Sequence, residues 1–129
     1  MSIELDHLIL RVNDASESVS FYSRILGFKD EGRDGPFSVL RVSPGLTLQL
    51  SARGTEGGEH LAFAVAEPAF EVIFKRIRDA GIPYGDSFSS VGSMRGPGDE
   101  SGARGIGKAL YFFDPNKHLL EIRFYRSAT

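Results

Sequence analysis

Two histidines stand at matching points of a repeated sequence pattern. Asp6–Val12 reads DHLILRV and Glu59–Val65 reads EHLAFAV, so an acid, a histidine and a leucine are followed by the same spacing to a valine. Both stretches have the alternating side-chain pattern of a β-strand. A single histidine on a strand is usually structural. A second one at the same place indicates a pair of imidazoles with a common chemical role.

Two oxygen donors repeat in the same way, because Gln49 and Glu121 each lie in the last predicted strand of their half. With His7 and His60 they make a nitrogen and oxygen ligand set suited to divalent zinc, nickel, iron, manganese or cobalt. Two imidazoles and one carboxylate also leave coordination positions open for a substrate or oxygen. We therefore predict a metal site at His7, His60 and Glu121, with Gln49 either a fourth ligand or a hydrogen-bonding group of a cavity.

These residues need strands to position them, and both halves of the chain predict the same order of elements. The first half predicts strands at Asp6–Val12, Phe28–Glu31, Ser38–Val42 and Leu46–Ser51, and a helix from about Ala15 to Gly27. The second predicts strands at Glu59–Val65, Tyr84–Ser87, Ala109–Phe113 and Leu119–Tyr125, and a helix from Pro68 to Gly81. The predicted fold is α+β, a single domain over 1–129 built from two tandem βαβββ modules, about 1–53 and about 58–129.

Strand alternation divides the side chains between two faces. The apolar phase, which we predict to form the core, contains Leu8, Leu10, Val12, Leu61, Phe63, Val65, Leu120, Ile122 and Phe124. The opposite phase contains His7, Ile9, Arg11, Thr47, Gln49, Ser51, His60, Ala62, Ala64, Tyr111, Phe113, Glu121 and Arg123. This second face is too polar for an interior, and it carries all the predicted ligands.

Composition restricts the possible partners. The 129 residues are 41% hydrophobic and carry 15 Lys and Arg against 17 Asp and Glu, without a basic tract that would bind nucleic acid. The apolar runs are too short to span a membrane and the N-terminus lacks a signal-peptide pattern, so we expect a cytoplasmic protein. Because the sequence has no cysteine, thiolate ligands and disulfides are excluded.

Three stretches carry a resemblance to a known family: DHLILRV followed by SVSFYSRILGF, then EHLAFAV, and ALYFFDPNKHLLEIRFY. Together they resemble the vicinal oxygen chelate superfamily of glyoxalase I, fosfomycin resistance proteins, extradiol dioxygenases and bleomycin resistance proteins. The resemblance implies paired βαβββ modules, a curved mixed sheet with a U-shaped cavity around a metal, and a homodimer. His7, His60 and Glu121 match the usual protein ligands, and Gln49 matches the fourth ligand position of glyoxalase I.

Individual residues differ from particular members of that family. Glyoxalase I commonly has Glu where this chain has Gln49, and an amide cannot take a proton from carbon. Tyr111 resembles a functional tyrosine of the dioxygenases and fosfomycin-modifying enzymes, whose hydroxyl could donate a hydrogen bond to a metal-bound substrate oxygen. Ile9 stands where the fosfomycin-modifying enzymes have a threonine. The remaining histidine, His118, is predicted to be exposed at a turn, so the additional catalytic histidine of the dioxygenases has no counterpart.

The resemblance implies a metal-dependent enzyme, a glyoxalase-like lyase or isomerase, acting on a small substrate chelated through vicinal oxygens. Glu121 would be a ligand and a candidate base, and Tyr111 a hydrogen-bond donor. Three alternatives stay open: a ring-cleaving extradiol dioxygenase, a metal-free drug- or metabolite-binding protein of the bleomycin resistance kind, and an inactive scaffold.

Two further features allow two readings each. The glycine- and serine-rich segment Gly85–Lys108 is either a flexible surface loop or a lid whose Arg95, Arg104 and Lys108 face an anionic substrate. The strand residues Arg11, Arg41 and Arg123 either bind a substrate anion or lie in solvent or beside a neighbouring acid.

Overall fold

The protein is described by a computed structural model over residues 1–126. The chain folds as two compact units, Met1–Gly57 (unit 1) and a second beginning at Gly58 (unit 2). The boundary lies between the two predicted modules, and the last three residues of predicted module 2 lie outside the described residues.

Unit 1 contains one helical segment and a four-stranded mixed sheet. Its elements are β1 (His7–Arg11), α1 (Ala15–Phe21) continued by a π-helical segment (Tyr22–Leu26), β2 (Lys29–Asp34), β3 (Phe37–Ser43) and β4 (Leu46–Ser51). The strand order is β1-β4-β3-β2, with β1 and β4 parallel and the other pairs antiparallel. This is the predicted βαβββ order.

Local sequence explains where the helical segment of unit 1 begins and ends. Asp14 is the N-cap, and its Oδ1 accepts a hydrogen bond from the backbone N–H of Glu17 at 3.0 Å. Gly27 follows the last turn with φ of 76°, a left-handed conformation that favours glycine. Between them Tyr22 and Ile25 are buried in the core.

Unit 2 repeats the plan with one additional strand. Its elements are β5 (His60–Ala64), α2 (Glu67–Asp79), β6 (Tyr84–Gly85), β7 (Gly98–Gly102), β8 (Gly105–Phe113) and β9 (Leu119–Phe124). The order is β5-β9-β8-β6, β7 also pairs with β8, and β5 runs parallel to β9. The α+β class and the mixed sheets are confirmed.

The core of unit 2 lies between α2 and the predicted apolar face of the sheet. Phe70 and Ile77 of α2 are fully buried, as are Leu120 and Ile122 of β9. The rings of Phe70 and Phe124 meet edge to face at 4.8 Å between centroids. The alternation therefore assigned the strand faces correctly, and the opposite face is left for the polar residues.

Part of the segment Gly85–Lys108 is ordered structure rather than loop. Residues from Gly98 onward form an antiparallel hairpin of β7 and β8, with Ala103 and Arg104 at its tip between the paired Gly102 and Gly105. Strand β7 reads GDESG, which has no apolar alternation, so sequence periodicity could not predict it. Across the described residues no helix is long and apolar enough to cross a membrane.

Candidate functional site

The sheet of unit 2 brings three predicted site residues to one face. Glu121 on β9 pairs directly with Ala62 on β5 and with Tyr111 on β8, and His60 lies two residues before Ala62. Directly opposed residues of neighbouring strands share a face. His60, Tyr111 and Glu121, with Arg123 two residues further along β9, form what we call the Glu121 cluster.

His60 and Glu121 present a nitrogen and an oxygen at the spacing of two metal ligands. Nε2 of His60 lies 3.1 Å from Oε1 of Glu121, and the carboxylate is almost fully buried while the imidazole is about half exposed. Two atoms that each lie about 2.0–2.2 Å from one ion stand about 3–3.4 Å apart at right or tetrahedral angles. The pair therefore fits two adjacent positions around a divalent ion.

Arg123 holds the other oxygen of the same carboxylate. Its Nη1 donates to Oε2 of Glu121 at 2.6 Å and to the carbonyl of Ser101 at 3.2 Å, and its Nη2 donates to the carbonyl of Glu100 at 2.8 Å. Of the two readings of Arg123, the structure shows pairing with a neighbouring acid, in a buried position. Glu121 is consequently fixed with one oxygen on Arg123 and one toward His60.

The β7–β8 hairpin completes the enclosure of Arg123. A side chain at Gly102 would collide with the Arg123 guanidinium and with the Tyr125 hydroxyl, so their present positions against β7 need a glycine there. The Tyr125 ring stacks on two guanidiniums, that of Arg104 at 4.5 Å and that of Arg123 at 4.8 Å. A cavity of about 260 Å³ is lined by Glu121, Arg123, Tyr125 and the hairpin tip. Sequence reasoning did not predict this hairpin's role.

Tyr111 faces the Glu121 carboxylate across the β8–β9 pair. Burial, followed by the negative charge of Glu121, raises the pKa of its hydroxyl to about 12. Its ring centroid lies 6.1 Å from that of His60. The phenol therefore keeps its proton throughout the physiological pH range.

His118 corrects one prediction, because it is 1% exposed rather than exposed at a turn. Its Nδ1 accepts a hydrogen bond from the backbone N–H of Glu59 at 3.2 Å, and its own backbone N–H donates to Oδ1 of Asp114 at 2.9 Å. The turn at Asp114 thus places the His118 imidazole beside Glu59, the residue before β5. His118 fixes the backbone next to His60.

The two predicted ligands of unit 1 share a face but belong to different cross-strand rows. His7 pairs with Thr47, whereas Gln49 pairs with Ile9 and Val39. Nδ1 of His7 lies 2.8 Å from Oδ2 of Asp6, the carboxylate–imidazole arrangement that orients Nε2 of a metal-binding histidine. Within unit 1, where every residue is described, the side-chain amide of Gln49 has no hydrogen-bond partner. Both residues fit ligand roles.

The predicted four-residue set is divided between the units, His7 and Gln49 in one and His60 and Glu121 in the other. Considered alone, neither unit groups three His, Asp or Glu side chains as a metal-binding cluster within residues 1–126. The structure therefore describes two half-sets.

Comparison with known proteins identifies the family. Residues 4–122 match the family described as "Glyoxalase/Bleomycin resistance protein/Dioxygenase superfamily". The chain belongs to this superfamily, which confirms the resemblance seen in its sequence motifs.

Similar proteins within the superfamily have diverse names. "Virulence protein STM3117" of Salmonella typhimurium is 30% identical over 94% of this chain and 83% of its own length. "Glutathione transferase FosA" of Serratia marcescens is 28% identical over 92% of this chain and 78% of its own length. Among solved structures, "Oxidase ChaP-H2" is 32% identical with a TM-score of 0.80, covering 100% of this chain and 98% of that one.

Proposed function

We propose that this protein is a metal-dependent enzyme acting on a small substrate held through two vicinal oxygens. The observation that carries the proposal is the 3.1 Å approach of His60 Nε2 to a buried Glu121 oxygen. His7, His60 and Glu121 would bind the ion, with Gln49 as the fourth ligand. Zinc, nickel, iron, manganese and cobalt all accept this donor set.

The chain's own residues would divide the chemical work. A bound divalent ion supplies Lewis acidity toward substrate oxygens. Tyr111 would donate a hydrogen bond to an oxygen that gains negative charge, since its high pKa keeps it protonated. Glu121 would act as a one-oxygen ligand, because its other oxygen is held by Arg123. Gln49 would bind without accepting a proton.

Relatives support two candidate reactions within this chemistry. The likeness to a protein named as a glutathione transferase favours addition of a thiol to a chelated substrate, and the glyoxalase part of the family description favours rearrangement of a thiol adduct. The likeness to a protein named as an oxidase favours the second candidate, an oxygen-dependent reaction with ferrous iron. Assays with an α-ketoaldehyde–thiol adduct and with a catechol, after anaerobic iron loading, separate the two.

Metal analysis tests the proposal directly. We would load the wild type, His60→Ala, Glu121→Gln and the exposed-helix control Glu71→Gln separately with zinc, nickel, manganese and anaerobic ferrous iron, and measure metal per chain after desalting. We expect about one ion per chain in the wild type and in the control, and loss of metal in both cluster variants.

The opposite result has a definite meaning. If the wild type retains none of these ions, the proposal of a metal-dependent enzyme is wrong. A metal-free binding protein then becomes the better description, and its ligand binding would survive His60→Ala.

A further inference from the structure

The polar face of the unit 1 sheet is ordered in three cross-strand rows. Reading across β1, β4 and β3, these are His7–Thr47–Arg41, Ile9–Gln49–Val39 and Arg11–Ser51–Phe37. Members of a row share a face and successive rows lie about 7 Å apart, the rise of two strand residues. The Arg11 row is therefore the next row after the one that contains Gln49.

A cavity of about 600 Å³ opens on this last row, and we call it the unit 1 cavity. It is lined by Ile9, Arg11, Pro36, Phe37, Ser51, Ala52 and Arg53. The lining combines apolar surface, including a half-exposed isoleucine, with two arginines, and none of its residues carries a carboxylate. That combination suits a ligand with an apolar body and a negative charge.

Arg53 is one of the two arginines in the lining of this cavity. Within unit 1, Arg53 has neither a hydrogen-bond nor an ion-pair partner for its guanidinium. Arg41, on the same sheet, is instead neutralised by both oxygens of Glu31 at 3.1 Å each. In unit 2, Arg123 is likewise neutralised by Glu121.

The chain around Arg53 is held in place rather than loosely attached. The backbone N–H of Gly54 donates to the carbonyl of Val12 at 3.0 Å, and that of Val12 donates to the carbonyl of Ser51 at 2.8 Å. The side chain of Asn13 accepts from the N–H of Thr55 at 2.9 Å. These bonds tie the segment after β4 to the end of β1, so the base of the arginine has a defined position.

We propose that the unit 1 cavity binds the anionic end of the substrate, a carboxylate or phosphonate joined to an aromatic or other apolar body. Arg53 would bind the anion, the positive charge of Arg11 lies in the same lining, and Phe37 and Ile9 would contact the apolar body. The inference rests on the proposed function for treating the occupant as the substrate. The Arg11 row, which borders this cavity, lies about 7 Å along the strands from the row that contains Gln49.

Binding of simple probes to the metal-free protein tests this site. After chelator treatment, titration calorimetry would compare phenylphosphonate and benzoate with neutral benzyl alcohol and with inorganic phosphate. We expect the two aromatic anions to bind at least about tenfold more tightly than either control, because only they satisfy both charge and apolar surface.

Matched arginine variants locate the binding. Arg53→Gln should weaken phenylphosphonate about tenfold, since a charge-assisted hydrogen bond is lost, and Arg53→Lys should recover part of that loss. Arg33→Gln removes an exposed arginine on β2 that does not line this cavity and should leave binding unchanged. Thermal melting of each variant checks that folding is preserved.

Two results would overturn the inference: equal affinity for benzyl alcohol and phenylphosphonate, or equal losses from the Arg53 and Arg33 substitutions. Equal affinities would show that the cavity does not require a negative charge on its ligand. Equal losses would show that binding depends on the overall charge of the surface and not on Arg53. If the protein retains metal but does not bind the aromatic anions, the anion site is wrong and the proposal of a metal-dependent enzyme is unaffected. If it binds the anions but retains no metal, the anion site is supported and the proposal of a metal-dependent enzyme is wrong.

Discussion

Glu121 is a buried carboxylate with both oxygens engaged, by His60 on one side and Arg123 on the other. Burial of a charge is costly unless the partner is well placed, so the guanidinium largely decides whether this carboxylate can stay inside. Arg123 in turn donates to two backbone carbonyls of β7. Removal of Arg123 or of Glu121 should therefore lower the free energy of unfolding, and removal of Arg123 should also change the position of the Glu121 carboxylate.

At the residue scale, Arg123→Met should lower the free energy of unfolding by about 3–5 kcal/mol, because Glu121 is left buried without a counter-charge. Urea denaturation measures the loss. Arg41→Met, which breaks a partly exposed pair, is the control and should cost about 1 kcal/mol or less. The double variant Arg123→Met, Glu121→Met should recover much of the stability. A single-variant loss no larger than the control's would contradict the role given to Arg123.

Tyr111 offers a prediction on pH. Burial and the Glu121 charge both disfavour the phenolate, so the pKa should be about 12 rather than the ordinary 10, and Glu121→Gln should lower it. The folded state binds this proton more tightly than the unfolded chain does. The stabilising contribution is therefore complete below pH 10 and is lost as pH rises toward 12. Ultraviolet difference titration of the wild type against Tyr111→Phe measures the value, and a titration near 10 would contradict it.

At the scale of elements, the β7–β8 hairpin determines how Arg123 is enclosed. Gly102→Ala should lower the free energy of unfolding by about 1–3 kcal/mol, because the new methyl group collides with the Arg123 guanidinium and the Tyr125 hydroxyl. Gly45→Ala is the control, since an added methyl there would only touch the end of Glu4, and its effect should be about 0.5 kcal/mol or less.

Amide hydrogen exchange gives the second measurement for this hairpin. Faster exchange in β7 and β8 of Gly102→Ala, with α1 unchanged, would show that the loosening is local. Unchanged exchange in β7 would mean that the glycine is not needed for the close approach.

The sequence predicted the elements that have a regular alternation of apolar residues or characteristic residues at their ends. Alternation identified β1, β5 and β9 with the correct faces, and Asp14 and Gly27 marked the ends of the first helical segment. The sequence did not predict β7, because its strand conformation comes from pairing with β8 and not from the pattern of its own residues. The burial of His118 was not predicted, because it depends on a contact with Glu59, 59 residues away in sequence.

The candidate site was predictable to the same degree. Strand parity put Tyr111 and Glu121 on one face, and the pairing of β8 with β9 brings them side by side. Arg123 also donates to the carbonyls of Ser101 and Glu100, which lie 22 and 23 residues away and which one sequence does not place beside it. The lack of a unit 1 partner for Arg53 likewise depends on its surroundings in the folded chain. That His7 and Gln49 join His60 and Glu121 around one ion stays a prediction.

At the scale of the whole molecule, the divided ligand set makes assembly the central question. We propose a homodimer, as the superfamily resemblance implies, and expect sedimentation at twice the 14.1 kDa chain mass at micromolar concentration. A single 14.1 kDa species across the concentration range would contradict this expectation.

Mixed dimers then decide where each site is completed. If unit 1 of one chain joins unit 2 of its partner, a dimer of His7→Ala and His60→Ala chains contains one intact ligand set and one doubly defective set. If each chain completes its own, both sets are defective. Metal retention by the purified mixed dimer, beside each homodimeric variant, distinguishes the two arrangements.

The matching rows Arg11–Ser51 and Ala64–Arg123 show that each unit places one arginine at the same level of its parallel strand pair, on opposite strands. In unit 2 this arginine binds a buried carboxylate, and in unit 1 it belongs to the lining of a cavity. Under the two proposals, substitutions around the unit 1 cavity would change which molecules bind without altering the Glu121 cluster. Substrate preference and metal binding could then be changed separately, each by few substitutions.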